Sequence, residues 1–143
     1  MNRLKTRAQF QAVLAAGTMA RTAHFALHRA DLPLVSDDRA LGSVQPLFPV
    51  RAVWMGAMVP KRWAKRAVTR NAIKRQIYNV GAQYKTALPA SAHVVRLRSA
   101  FDRVEFVSAS STALKESLRS ELLQLFERAV SDKPIAATRV AGP

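Results

Sequence analysis

Residues 61–75 read KRWAKRAVTRNAIKR, which puts seven cationic side chains in fifteen positions, admits no carboxylate, and threads apolar residues between the charges at helical intervals. At 100° per residue, Ile73, Ile77, Val80 and Tyr84 fall on one face of a helix, while Arg70, Asn71, Lys74, Arg75 and Tyr78 fan out over the adjoining side. Such a segment has few places to go: its apolar stripe must be buried against a scaffold and its cationic side must stay at the surface. Pro60 and Pro89 bracket it, so the spacing predicts a helix from about Lys65 to Leu88, with Gly81 weakening the last turns. Arg70 and Lys74 are i,i+4 neighbours, as are Asn71 and Arg75. Like charges at that spacing cost a few tenths of a kcal/mol on an isolated helix, a penalty that a purely structural helix relieves with Glu.

The missing carboxylates are a regional property. No Asp or Glu occurs in residues 1–30 or 39–101, and those stretches hold 17 of the 23 Lys and Arg. A formal net charge of +14 makes nucleic acid the leading partner, because each neutralised phosphate releases condensed counterions and such contacts accumulate. Within the run, Arg70 and Arg75 carry planar forks that grip a phosphate bidentately, whereas Lys61, Lys65 and Lys74 act as point charges. Asn71 is a poor helix former whose side chain both donates and accepts, suited to ordering the arginines or touching a sugar. Lys61, Arg62, Lys65 and Arg66 sit at the helix entrance, where unpaired backbone N–H groups add to the attraction. The plainer reading of the same charges is a solvated cationic face without a ligand.

The rest of the chain supplies the scaffold. At 143 residues and 49 % apolar content it is one domain of ordinary size with a real core. Thr6 with Gln9 is a capping-box signature for a first helix, with Phe10, Val13 and Leu14 as its apolar stripe and Gly17 as its stop. Alternation predicts strands over Thr22–Arg29, Arg51–Val59 and His93–Arg98; the first reads as half-buried, and the second, apolar on both faces, as central. Residues 31–49 carry Pro33, Pro46, Pro49, Gly42 and the acidic cluster Asp31, Asp37 and Asp38, and read as a long surface loop. Ser111–Ala129 predicts an amphipathic helix through Leu114, Leu118, Leu122 and Leu125, followed by a flexible tail over residues 133–143. The expected architecture is an α/β (α+β) two-layer sandwich: a small central sheet with helices packed on it, in the order α-β-β-(β)-α-β-α, forming a single RNA-binding domain over residues 1–132.

Several chemistries are excluded or disfavoured. Zero cysteines rule out disulfides and Cys-ligated zinc, and fit a cytoplasmic protein. His24, His28 and His93 lack ligand-like partners, so no metal site is expected. The carboxylates are scattered, no Ser/His/Asp set stands out, and the glycines form no phosphate-cradling loop, which argues against side-chain catalysis. No apolar stretch approaches the ~18 residues of a membrane span, and MNRLKTRAQF lacks the apolar centre of a signal peptide. Phe10, Phe25 and Trp54 are available for base stacking, although each reads first as core.

RAVTRNAIKR at 66–75, with KR at 61–62 ahead of it, resembles the signature of the bacterial ribonuclease P protein component. RLKTRAQFQAVLAAG at 3–17 is similar to that family's opening helix, HFALHRAD at 24–31 to its following strand, and VWMGAMVPKR at 53–62 to the strand leading into the motif. The resemblance covers most of residues 3–100. It implies a protein subunit that assists a catalytic RNA in endonucleolytic removal of the 5′ leader from precursor tRNA. The hydrolysis and its Mg2+ would lie in the RNA, with no cofactor on the protein. It further implies that Lys61, Arg62, Lys65, Arg66, Arg70, Asn71, Lys74 and Arg75 contact the catalytic RNA, and that Phe10, Leu14 and His28 line a cleft for the single-stranded leader. The strand–helix–strand crossover is expected to be left-handed, against the general rule, on the resemblance alone. The chain departs from the family pattern at Ala72 and Tyr78, where arginines are common, and at Leu14 and His28, where aromatic residues are frequent. More of any base stacking therefore falls to Phe10.

The same basic helix suits a second class, a structural RNA-binding protein, ribosomal or tRNA-handling, with no part in cleavage. Charge alone does not separate the two. Nonspecific DNA binding fits less well, because the chain has no groove-reading motif.

Overall fold

The computed structural model describes residues 2–32, 35–38, 43–46, 48, 50–101 and 112–132. The elements in chain order are β1 (Asn2–Arg3), α1 (Arg7–Ala16), β2 (Thr18–Arg21), β3 (Phe25–Ala30), β4 (Val35–Asp38), β5 (Ser43–Pro46), β6 (Trp54–Met58), α2 (Ala67–Gln83), β7 (Ala92–Leu97) and α3 (Thr112–Asp132). Five strands form one mixed sheet in the order β1-β6-β7-β3-β2, and β4 pairs with β5 separately. β7 is the central strand, parallel to β6 and antiparallel to β3. The segment β6–α2–β7 is thus a crossover between adjacent parallel strands, which is why a helix-length connection lies between them.

Alternation of side chains gives the sheet two buried faces. On one, Phe25, Leu27, Met55, Ala57, Val95 and Leu97 meet Ile73, Ile77 and Val80 of α2 and Leu118, Leu122, Leu125 and Phe126 of α3. On the other, Ala30, Trp54, Ala92 and Val94 pack with Leu4 and with Val13 of α1 in a smaller core, against which Phe10, Leu14 and Met58 lie. Helices therefore cover both sides. All six residues of β3 are buried, where the sequence predicted a half-buried strand, because α1 covers the side that carries Ala26 and His28.

α1 forms as its caps dictate. Gln9 N–H donates to Thr6 Oγ1 at 3.1 Å, and Gln9 Oε1 accepts from Thr6 N–H at 3.1 Å and from Lys5 N–H at 2.6 Å. Gly17 then takes φ 115°, a backbone conformation that favours glycine, and the chain turns into β2. α2 ends at Gln83, five residues short of the expected Leu88; the Tyr84 N–H caps onto Gly81 O and Ala82 O, and the next residues turn. Residues 31–49, expected to be loop, hold a hairpin in which Val35, Ser36, Asp37 and Asp38 pair with Pro46, Gln45, Val44 and Ser43. Proline is tolerated there because it sits at the end of a two-stranded ribbon. His24 lies in the turn before β3 and not within the strand. The tail over 133–143 lies outside the described residues.

Candidate nucleic-acid interface

The connector ahead of α2 is pinned before it becomes basic. Trp63 and Ala64 N–H groups donate to Pro60 O at 3.1 and 3.2 Å, and Ala64 is buried in the larger core. Lys61, Arg62, Lys65 and Arg66 are all exposed around that anchor. Arg66 is the N-cap of α2 in an extended conformation with no side-chain cap bond, so the first turn offers N–H groups outward beside these cations.

Along α2 the two-sided pattern holds. Ile73, Ile77 and Val80 are fully buried, while Asn71, Lys74 and Arg75 are exposed. Arg70 is different: its Nη1 donates to Ala64 O at 3.1 Å and to Lys65 O at 2.7 Å. It straps the connector to the helix, and it is half-buried where Lys74 is exposed. Among the described residues the one carboxylate at salt-bridge distance from a basic group is Glu121, 2.7 Å from the His24 ring, so none of the seven cations among the eight predicted RNA-contacting residues has an acidic partner.

Tyr78, where the family pattern favours an arginine, does structural work. β1 is only two residues long and pairs with Trp54 and Met55, leaving the Ala57 N–H of β6 without a strand partner on that side. That N–H donates to Tyr78 Oη at 3.2 Å, and the Arg3 guanidinium lies 3.9 Å from the Tyr78 ring centroid. Sequence reasoning missed this contact because its partner lies on another element.

Phe10, Leu14 and His28 lie on the α1 side of the sheet. The Phe10 ring covers Gly56, so closely that a Cβ there would stand 2.7 Å from Phe10 Cε1. His28 is only 6 % exposed, so its ring is a support beneath the surface and not a stacking platform. Its Nε2 accepts from Arg96 Nε at 3.3 Å, and its Nδ1 lies 3.5 Å from Thr18 Oγ1. Burial first, then the Arg96 charge, holds its pKa below the ordinary histidine value, which favours the neutral ring.

Two further polar clusters are structural. Glu121 of α3 accepts from Thr22 Oγ1 at 2.5 Å and from His24 N–H at 2.6 Å, while Phe101 stacks on the His24 ring at 3.9 Å. Thr22 and His24 both bond the carboxylate and not each other, so no hydroxyl-to-imidazole relay is set up. At the other end of the sheet, Arg29 Nε donates to His93 Nδ1 at 3.4 Å and His93 Nε2 lies 3.3 Å from Pro89 O, which ties the loop after α2 to the sheet. Burial, then Arg29, pushes the His93 pKa down to about 4. Among the described residues no group of three or more His, Asp or Glu could hold a metal ion, and no helix is long and apolar enough to cross a membrane.

A five-stranded sheet covered by helices on both sides, with a cationic helix face that has no carboxylate partner among the described residues, defines a small basic α+β domain. Residues 1–130 match the family model Ribonuclease P, and the chain belongs to that family. It is 36 % identical over 126 residues to the ribonuclease P protein component of Bordetella parapertussis, covering 88 % of this chain and 89 % of that one. With the ribonuclease P protein component of Ralstonia pickettii it shares 32 % identity over 141 residues, 99 % of this chain and 86 % of the relative. The fold is similar to that of the RNase P protein from Staphylococcus aureus, with a TM-score of 0.62 at 19 % identity, covering 90 % of this chain and 95 % of that one. It is also similar to that of the RNase P protein from Thermotoga maritima, with a TM-score of 0.54 at 18 % identity, covering 87 % and 98 %. The family expected from the 61–75 run is the family found.

Proposed function

We propose that the chain is the protein subunit of a ribonuclease P, assisting a catalytic RNA in removing the 5′ leader from precursor tRNA in the cytoplasm. The observation that carries this reading, beside family membership, is the cationic face of α2 and its connector, where Lys61, Arg62, Lys65, Arg66, Asn71, Lys74 and Arg75 gather without a carboxylate partner among the described residues. In this reading that face docks on phosphates of the RNA subunit, and Arg70 both straps the connector and adds its free donors to the contact. The groove beside α1, walled by Phe10 and Leu14, takes the single-stranded leader, with Mg2+ and the hydrolytic step in the RNA.

Adding the purified protein to a bacterial ribonuclease P RNA at low magnesium and following leader removal tests the proposal. Stimulation of cleavage is expected. RNA binding without stimulation would leave a structural RNA-binding protein as the better account.

A further inference from the structure

On the α1 side of the sheet, residues opposite one another on neighbouring strands form two rows. Gly56, Val94, His28 and Thr18 make the first, and Met58, Arg96, Ala26 and Arg21 make the second. α1 lies over the first row: Phe10 sits on Gly56 at one end, and Gly17, directly after the helix, leads into Thr18 at the other. The helix is 10 residues long. From Phe10 to Gly17 that leaves about 10.5 Å at 1.5 Å per residue, and the Phe10 side chain, leaning toward the helix N-terminus, covers the rest of three strand spacings of about 4.8 Å each. The second row therefore runs beside the helix. Within it the small Ala26 is fully buried, and Arg96 and Arg21 stand on either side of it, about 9.5 Å apart across two strand spacings.

Arg96 is held in place and left unneutralised. Its Nε is committed to the Nε2 of a neutral His28 at 3.3 Å. The charges acting on it are the cations Arg98, Arg21 and Arg62, and no carboxylate reaches salt-bridge distance among the described residues. A partly buried guanidinium in a field of like charge is unfavourable on its own, and an anion is what completes it. With Nε fixed, its two terminal nitrogens remain to fork onto two oxygens of one phosphate.

We propose that Arg96, positioned by His28, grips a backbone phosphate of the single-stranded 5′ leader, with Arg21 flanking it across Ala26. The inference rests on the reading of the α1 groove as the leader site. A single strand suits the groove because Phe10 and Leu14 present apolar surface to unstacked bases along the same edge that presents the arginines to the backbone. His28 touches the arginine and not the RNA, so it is a positioning residue.

The test uses holoenzyme reconstituted from the full chain and a bacterial ribonuclease P RNA, with precursor tRNA and mature tRNA as ligands. Arg96→Gln should weaken precursor binding about tenfold, leave mature tRNA binding in place, and lower the salt slope for precursor by about one unit. Arg96→Lys keeps the charge without the fork and should fall in between. His28→Leu should reproduce much of the Arg96→Gln loss, and His28→Gln, whose amide oxygen can accept from Arg96, should recover it. Phe10→Ala reports on the groove itself. If Phe10→Ala loses leader-dependent affinity and Arg96→Gln does not, the role of Arg96 is overturned while the groove stands. If neither variant separates precursor from mature tRNA, the groove reading falls and takes this proposal with it. Equal loss on both ligands by Arg96→Gln in a protein of unchanged Tm also overturns it, by assigning the arginine to the RNA subunit.

Discussion

Gly56→Ala presses on the Phe10 ring, a wall of the proposed groove. The new Cβ would stand 2.7 Å from Phe10 Cε1, 2.9 Å from Phe10 Cζ and 3.2 Å from Leu4 Cβ. Carbon atoms settle at about 3.5–4.0 Å, so roughly 0.8 Å of overlap with the ring must be relieved. β6 cannot retreat, because it is hydrogen-bonded between β1 and β7. Gly56 is not among the residues with positive φ, so space and not backbone conformation is what requires glycine here. The half-buried ring yields first, by leaving its preferred rotamer, and overpacking of that kind costs about 1–3 kcal/mol. At this chain length the corresponding fall in Tm is about 3–10 °C. Phe10→Ala carries its own cost from lost packing, about 2 kcal/mol for a ring that is partly exposed. In the double variant the ring is gone and the added methyl fills part of the space it left. The two losses should therefore fall short of additivity by about 1 kcal/mol or more. Urea or thermal unfolding of the four proteins measures the cycle, with precursor tRNA affinity of each holoenzyme followed in parallel. Strict additivity, or a Gly56→Ala protein with unchanged Tm, would refute the account of why the glycine is there.

The other predictions probe different contacts. Lys74→Ala should lower the salt slope for RNA-subunit binding by about one unit at unchanged Tm, whereas Arg70→Ala should lower the slope and also destabilise the chain by about 1–2 kcal/mol through loss of the strap to Ala64 O and Lys65 O; an unchanged slope in both would mean this face points only at solvent. His93 has its pKa pushed from 6.5 down to about 4, so below pH 6.5 the unfolded chain takes up a proton that the folded chain refuses. Stability from the neutral buried ring is therefore complete above pH 6.5 and falls by up to about 3 kcal/mol as pH drops toward 4; His28 pulls in the same direction, and His93→Gln should remove most of the difference between urea midpoints at pH 7.5 and pH 4.5. Tyr78→Phe keeps the ring under Arg3 but leaves the Ala57 N–H without its acceptor, so a loss of about 1 kcal/mol is expected, and none at all would show that water replaces the hydroxyl.

Local signals carried much of this architecture. Thr6, Gln9 and Gly17 announce α1 because a cap is satisfied within three residues of chain, and the α2 stripe is legible because Ile73, Ile77 and Val80 repeat at the helical period. What escaped depends on partners remote in sequence or on elements too short to show a period. β1 has two residues, and each strand of the 35–46 hairpin has four, with Asp and Pro among them. Glu121 closes on the Thr22–His24 turn from 99 and 97 residues away, a pairing that no window along the chain contains. Arg70 fitted the pattern of a phosphate contact, and its bonds to Ala64 O and Lys65 O depend on how the connector folds back on the helix. Arg96 did leave a trace: an arginine at an alternating position of a strand covered on both sides is a charge in an unusual place, and its neighbours decide what it does.

β6 is where the two proposed RNA-facing surfaces meet. Its five residues carry Gly56, on which the Phe10 ring of the groove rests, and Ala57, whose N–H is held by Tyr78 one turn beyond Lys74 and Arg75 of α2. Neighbouring residues of one strand point to opposite faces, so the wall of the groove and the cationic helix are indexed to the same backbone from its two sides. A strand hydrogen-bonded on both edges and packed on both faces has no soft coordinate along which these surfaces could drift apart. In the proposed function that rigidity is useful: RNA docked on α2 and a leader lying beside α1 are held at a fixed separation by the thickness of one sheet. In that reading the protein contributes to cleavage by geometry.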